Sequence, residues 1–204
     1  MTRTSTKPKG ATHYIETAFG IVARSKLVEL EAEGIAKGLF WVIKQAPKKP
    51  RITAQLLLDL HRRCFGFIFP EWAGILRRVA VQVSDYTPPP PHALREHLTN
   101  FEKDLATQLE QLSDNGLKRK QLLITIAAWM QHRIVWIHPF LDYNGRIARL
   151  ATNLLFLEHG LPLVEIPAEK SGTIRRHYVA AMQSADRGDL TSLEQLLAQT
   201  LKQK

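Results

Sequence analysis

His138-Pro139-Phe140-Leu141-Asp142-Tyr143-Asn144-Gly145-Arg146-Ile147-Ala148-Arg149 is the stretch on which the reading of this chain turns. Upstream of it, residues 121–137 are strongly apolar and long enough to form a central helix buried on most sides. Downstream, Ile147, Leu150, Ala151, Leu154 and Leu155 share one helical face, and Gly160 with Pro162 closes that helix. The quoted segment is therefore a short loop between two packed helices, with the second helix starting at Asn144 or Gly145. A helix start exposes free backbone N–H groups and the positive end of the helix dipole, so it binds phosphate. Gly145 lets a ligand approach the backbone closely. Arg146 and Arg149 lie on one face of the first turn, where their guanidinium groups grip further phosphates. Asp142 is a hard oxygen ligand suited to Mg²⁺. His138 takes up a proton near neutral pH. A base, a metal ligand and an anion cradle so close together point to phosphoryl or nucleotidyl transfer. A plain helix–turn–helix corner explains any one of these residues, but not the set.

Working outward, the remaining periodicity is mostly helical. Helices are predicted over about 15–42, 54–63 (opened by Thr53), 94–112, 173–185 and 190–201. Residues 45–51 read as a Pro- and Lys-rich loop, 66–74 as irregular, and Asp114-Asn115-Gly116 as a turn. Val79, Val81 and Val83 alternate with small or polar residues, which is strand periodicity. The consecutive prolines 88–91 follow as a rigid connector. There are no repeats. Residues 1–12 are expected to be a flexible arm and 13–204 one domain.

Composition narrows the class. Of 204 residues, one is cysteine, so no internal disulfide forms, and a reducing, cytoplasmic setting is expected. Cys64 lies in an apolar stretch and is read as a small buried core residue. No segment reaches the ~18 apolar residues of a membrane span. The net charge of +9 suits phosphate-rich ligands, but the cations are scattered and argue against nucleic acid as a partner. Neither His92 and His97 nor His132 and His138 have zinc-ligand helical spacing.

The loop segment resembles the signature of the Fic family, H-P-F-x-D/E-G-N-G-R-x-x-R. Pro70-Glu71-Trp72-Ala73-Gly74 ahead of Arg77 and Arg78, the alternating valines, the run from Tyr86 to Pro91, and Tyr178 with Gly188-Asp189-Leu190 resemble the family's flanks. The resemblance covers about residues 15–200. It implies a mainly α fold, a helical bundle with a small β-hairpin flap. It also implies a protein adenylyltransferase that moves AMP from ATP, with Mg²⁺, onto a hydroxyl of a target protein. His138 would be the base, Phe140 the loop anchor, and Asp142 the Mg²⁺ ligand. Asn144 and the backbone at Gly145 would hold the α-phosphate, Arg146 the β- and γ-phosphates, and Arg149 the γ-phosphate. Val79, Val81 and Val83 would belong to the flap that docks the target by strand addition.

Tyr143 stands where the family has glycine. If that position needs a positive φ or faces a phosphate, the tyrosine distorts the cradle; if it supplies only a backbone N–H, the tyrosine is tolerated with its ring turned outward or over the nucleotide. The substitution keeps a phosphotransferase or phosphocholine-type transferase in view. A non-catalytic module binding a nucleotide or protein is the third reading. A homo-oligomer is compatible with the sequence. Many family members also carry an inhibitory helix, S/T-x-x-x-E-G/N. Glu33-Gly34, on a predicted helix at about 25–38, matches it in part, with Glu29 at the Ser/Thr position. If it inhibits, Glu33 pairs with Arg149; otherwise it is a solvated glutamate beside a helix-ending glycine.

Overall fold

The computed structural model describes residues 14–83, 86–112, 116–165 and 172–202. The arm 1–12 and the turn residues Asp114 and Asn115 lie outside the described residues. The chain begins with strands β1 (Tyr14–Thr17) and β2 (Gly20–Ala23), then helix α1 (Arg24–Gln45) and α2 (Ala54–Phe65). Helices α3 (Leu94–Glu110), α4 (Gly116–Ile137), α5 (Asn144–Glu158), α6 (Thr173–Asp186) and α7 (Thr191–Lys202) follow. The mainly α fold is as expected, and among the described residues β1 and β2 form one small hairpin. Among the described residues no helix is long and apolar enough to cross a membrane.

Helix α4 is the axis, packed against α3, α5, α6 and α7. Leu123, Ile124, Ile126, Ala127, Ala128, Met130, Ile134 and Ile137 are all buried, so its apolar run meets protein on most sides. Helix α1 packs on α2 and α5. It comes close because of two glycines: a Cβ at Gly34 would stand 2.1 Å from the Cys64 carbonyl oxygen, and one at Gly38 would stand 2.3 Å from its Sγ. Each glycine costs a helix about 1 kcal/mol relative to alanine, offset here by helix–helix contact. Gly34 therefore does not end a helix, and α1 runs on to Gln45. Thr53 caps α2 as predicted, its hydroxyl accepting from the Leu56 N–H at 3.2 Å.

Two expectations about strands are corrected. The helix predicted from residue 15 begins only at Arg24; residues 14–23 form the antiparallel hairpin, with Thr17 opposite Gly20. Gly20 takes φ 80, and the Thr17 hydroxyl donates to its carbonyl at 2.9 Å, so a turn interrupts what reads as helical rhythm. The segment 79–83 is not a strand. Nor do its valines share a buried face: Val81 is 5% exposed, but Val79 is 42% exposed and Val83 only half-buried. The only pairing there, among the described residues, is the bridge between Val83 and Tyr86.

Candidate active site

The loop between α4 and α5 is held from three sides. The His138 N–H still closes on the Ile134 carbonyl at 3.1 Å, but His138 itself has φ 51, and Pro139 prevents any further turn of helix. Phe140 is fully buried, stacked on the His61 ring at 4.0 Å. Asn144 clips the loop shut: its Oδ1 accepts the Phe140 N–H at 2.9 Å, and its Nδ2 donates to the Phe140 carbonyl at 2.9 Å. From α2, His61 Nδ1 accepts the Gly74 N–H at 2.8 Å, so its Nε2 carries the proton given to the Asp142 carbonyl at 3.1 Å. Burial lowers the His61 pKa to about 4, so the ring is neutral. From the loop after α2, Arg77 donates its main-chain N–H to the Pro139 carbonyl at 2.9 Å and its Nε to the His138 carbonyl at 2.7 Å.

The His138 ring is half-buried, with Nδ1 3.2 Å from the Val135 carbonyl. That contact assigns the proton to Nδ1 and leaves the Nε2 lone pair as the acceptor. Burial brings its pKa to about 4, the Val135 carbonyl opposing and the Arg77 cation assisting. At neutral pH the group is in the form a general base needs. Asp142 lies at the rim, with Oδ1 accepting the Tyr143 N–H at 2.6 Å.

Tyr143 departs from expectation. It is the N-cap of α5 with φ 63, a left-handed conformation that costs a side chain about 1–2 kcal/mol. Its ring turns neither outward nor over a nucleotide. It stacks on Phe65 at 3.9 Å and lies near Trp72 and Phe69, while its hydroxyl donates to Glu31 Oε1 at 3.0 Å. The buried ring offsets the backbone strain. Tyr143→Gly relieves the strain but removes that ring, so a net loss of about 2–3 kcal/mol is expected. Thermal unfolding should fall by roughly 5–10 °C, and a rise would refute this account.

The side chain of Asn144 was expected on the α-phosphate; its amide is instead committed to Phe140. The backbone remains. Arg146 and Ile147 close on the Tyr143 carbonyl at 2.9 and 3.1 Å, and the N–H groups of Asn144 and Gly145 point out of the helix start. A Cβ at Gly145 would meet only Arg149 Nη1, at 3.4 Å, so packing does not demand glycine there. The Arg149 guanidinium sits 5.8 Å over the Tyr178 ring, as a neighbour of Arg146 on the same turn.

Glu33 does not approach Arg149. It is exposed and pairs with Lys37 at 2.7 Å, as Glu29 pairs with Lys26 at 2.8 Å. Glu31 is the glutamate of α1 that reaches the site. It is buried and accepts from Arg146 Nη2 at 2.7 Å, with Arg24 3.8 Å away. The reason is rotation: two helical residues are about 200° apart, so Glu31 and Glu33 face opposite ways. Sequence reasoning also missed His61 and gave Arg77 no role. Glu31 was findable, as a carboxylate in the stripe Leu27, Glu31, Gly34, Gly38. Among the described residues no group of three or more His, Cys, Asp or Glu side chains is placed to hold a metal. Asp142 alone, a rim carboxylate, fits an ion whose remaining ligands come with a phosphate-bearing substrate.

Residues 51–156 match the Fic/DOC family. Two curated proteins named protein adenylyltransferase Fic are similar to the chain. That of Nematostella vectensis is 30% identical over 177 residues, 86% of this chain and 39% of the relative. That of Drosophila grimshawi is 30% identical over 184 residues, 90% of this chain and 36% of the relative. The chain thus spans little more than a third of these relatives' length. Among solved structures, C. elegans Fic-1 (residues 134–508) superposes with TM-score 0.63 at 28% identity, covering 82% of this chain and 47% of that one. The Bartonella tribocorum effector BepC, with bound AMPPNP, gives TM-score 0.73 at 23% identity over 95% and 94%.

Proposed function

The chain belongs to the Fic/DOC family, and on that premise we propose that it transfers AMP from ATP to a side-chain hydroxyl of a protein. One observation carries the reading: a single tightly clipped loop has a neutral histidine with an open Nε2 at one end and an open, arginine-flanked helix start at the other. The relatives named protein adenylyltransferase support it, as does a nucleotide analogue bound to the same fold in BepC. His138 Nε2 takes the proton of the target hydroxyl. The oxygen forms its bond to the α-phosphorus, the bond from that phosphorus to the bridging oxygen breaks, and pyrophosphate leaves. The N–H groups of Asn144 and Gly145 receive the α-phosphate, while Arg146 and Arg149 receive the outer phosphates. Asp142 would hold Mg²⁺ together with the nucleotide's own oxygens, and the ion would neutralise phosphate charge. Residues 79–83 lie where the target chain docks.

Glu31 occupies Arg146 before any nucleotide does, and it replaces Glu33 as the inhibitory residue in this reading. Burial pushes the Cys64 thiol up to about 12, so it takes no part as a nucleophile, and a buried lone thiol is consistent with a cytoplasmic setting. The test is to incubate the protein with Mg²⁺, lysate and ATP labelled at the α- or the γ-phosphate. Label retained on protein from the α position alone is expected. Label from the γ position alone would replace this reading with kinase-like use of the site, and none from either would leave a transferase using another donor or a binding module.

A further inference from the structure

The segment 79–89 looks like a flap without a stem. A hairpin of this length is normally closed by a ladder of main-chain bonds, yet among the described residues only Val83 and Tyr86 exchange main-chain bonds, each at 2.9 Å, near its tip. Between the arms, the Thr87 hydroxyl donates to Gln82 Oε1 at 3.0 Å; at the base, the join is made by the Arg77 side chain. Arg77 Nη1 donates to the Val79 carbonyl at 2.9 Å and Nη2 to the Pro89 carbonyl, so a single guanidinium joins the two ends. Its third arm, Nε, donates to the His138 carbonyl at 2.7 Å. The residue is 4% exposed, and among the described residues its hydrogen bonds all go to main-chain carbonyls. A planar guanidinium presents its donors in a fixed fork, so three bonds set three carbonyls in one frame.

We propose that Arg77 is a positioning residue that locks the flap base and the His138 loop into one mechanical unit, so that where the target docks determines where the base stands. This rests on the transfer reading only for its consequence; the coupling itself is a property of the fold. A second contact supports it: the Tyr86 hydroxyl, from within the flap, donates to the Trp136 carbonyl at 3.0 Å, just ahead of His138. An arginine kept merely to balance charge would be replaceable by lysine. Lysine carries its charge on one tetrahedral nitrogen and cannot hold three carbonyls in that plane.

Amide hydrogen exchange on Arg77→Gln and Arg77→Lys, without nucleotide or target, tests this. Leu193→Ala, a buried α7 residue, is the control for general loss of stability. Exchange at Val83, Tyr86 and His138 is expected to rise about tenfold or more in both Arg77 variants, as when charge-assisted bonds are lost, and to stay at the wild-type level in the control. Transfer in the Arg77 variants should then show a lower kcat with unchanged ATP affinity. Flap and His138 exchange at the wild-type level, or full rescue by lysine, would overturn the proposal. If Arg77→Gln does not fold, wild-type exchange in rising urea decides: Arg77, Val83 and Tyr86 amides should open together, and separate openings would overturn it. A chain that transfers no AMP at all leaves this exchange test standing.

Discussion

Glu31→Gln is expected to tighten ATP–Mg²⁺ binding by about 10- to 100-fold and to raise transfer in proportion. The Glu31 carboxylate is 3% exposed and divides its two oxygens between Arg146 Nη2 at 2.7 Å and the Tyr143 hydroxyl at 3.0 Å. A nucleotide phosphate that uses Arg146 must first displace that carboxylate. A hydrogen bond to a charged partner is worth about 1.5–3 kcal/mol, and each 1.4 kcal/mol is about tenfold in affinity. Glutamine keeps the shape and the neighbour in Tyr143 while removing the charge that competes. The same change leaves one buried pair weaker, so a stability loss of about 1–2 kcal/mol is expected alongside the gain. Calorimetric titration with ATP–Mg²⁺ and the labelling assay read the two effects separately. Equal affinity and equal labelling in wild type and variant would remove Glu31 from the account of inhibition.

His138→Ala should lower transfer by about 10²- to 10⁴-fold, the usual worth of a positioned general base, with ATP affinity retained. Its environment also sets a pH dependence. The folded pKa is lowered to about 4 from the ordinary 6.5, so the ring stays neutral well below pH 6.5. The acid limb of kcat/KM is therefore expected near pH 4, with a flat profile through neutrality. The linkage to stability has a definite sign. Between pH 4 and 6.5 the unfolded chain binds protons that the folded rings of His138 and His61 refuse. Stability is thus full above about pH 6.5 and falls as the pH drops toward 4. For fully buried His61 this amounts to about 3 kcal/mol. Denaturant midpoints taken across that window check it, and a midpoint independent of pH would refute the assignment of neutral, buried rings.

Much of this was legible in the sequence. Residues 138–149 identified the loop, the axis helix and the new helix start, and Thr53 marked the start of α2. These signals are local: a cap, an apolar period, a proline. What was not legible depended on contacts between distant segments. The Glu33-Gly34 pair looked like an inhibitory element because a motif carries no helical phase. The stripe Leu27, Glu31, Gly34, Gly38 puts Glu31 on the inner face of α1, but that this face meets Arg146 follows from the packing of α1 on α2 and α5. The valines at 79, 81 and 83 read as one strand face, but the segment is tied down by the Arg77 side chain instead of by strand pairing, and only Val81 of the three is buried. Tyr143 was misjudged because nothing nearby in sequence announces that Phe65, Phe69 and Trp72 form a slot for its ring.

The two glycines of α1 bear on how quickly the site can open. With Gly34 and Gly38 set directly against Cys64, the helix has no slack along that contact and cannot swing away from α2 without prying the two backbones apart. Withdrawal of Glu31 from Arg146 therefore falls to its own side-chain torsions. Those torsions turn only when the bonds to Arg146 and the Tyr143 hydroxyl break inside a buried site, so they are slower than the free rotamer flips of an exposed side chain. Admission of the nucleotide is then an event at one side chain and not a movement of α1, and the strength of the Glu31–Arg146 pair sets how often the site stands open.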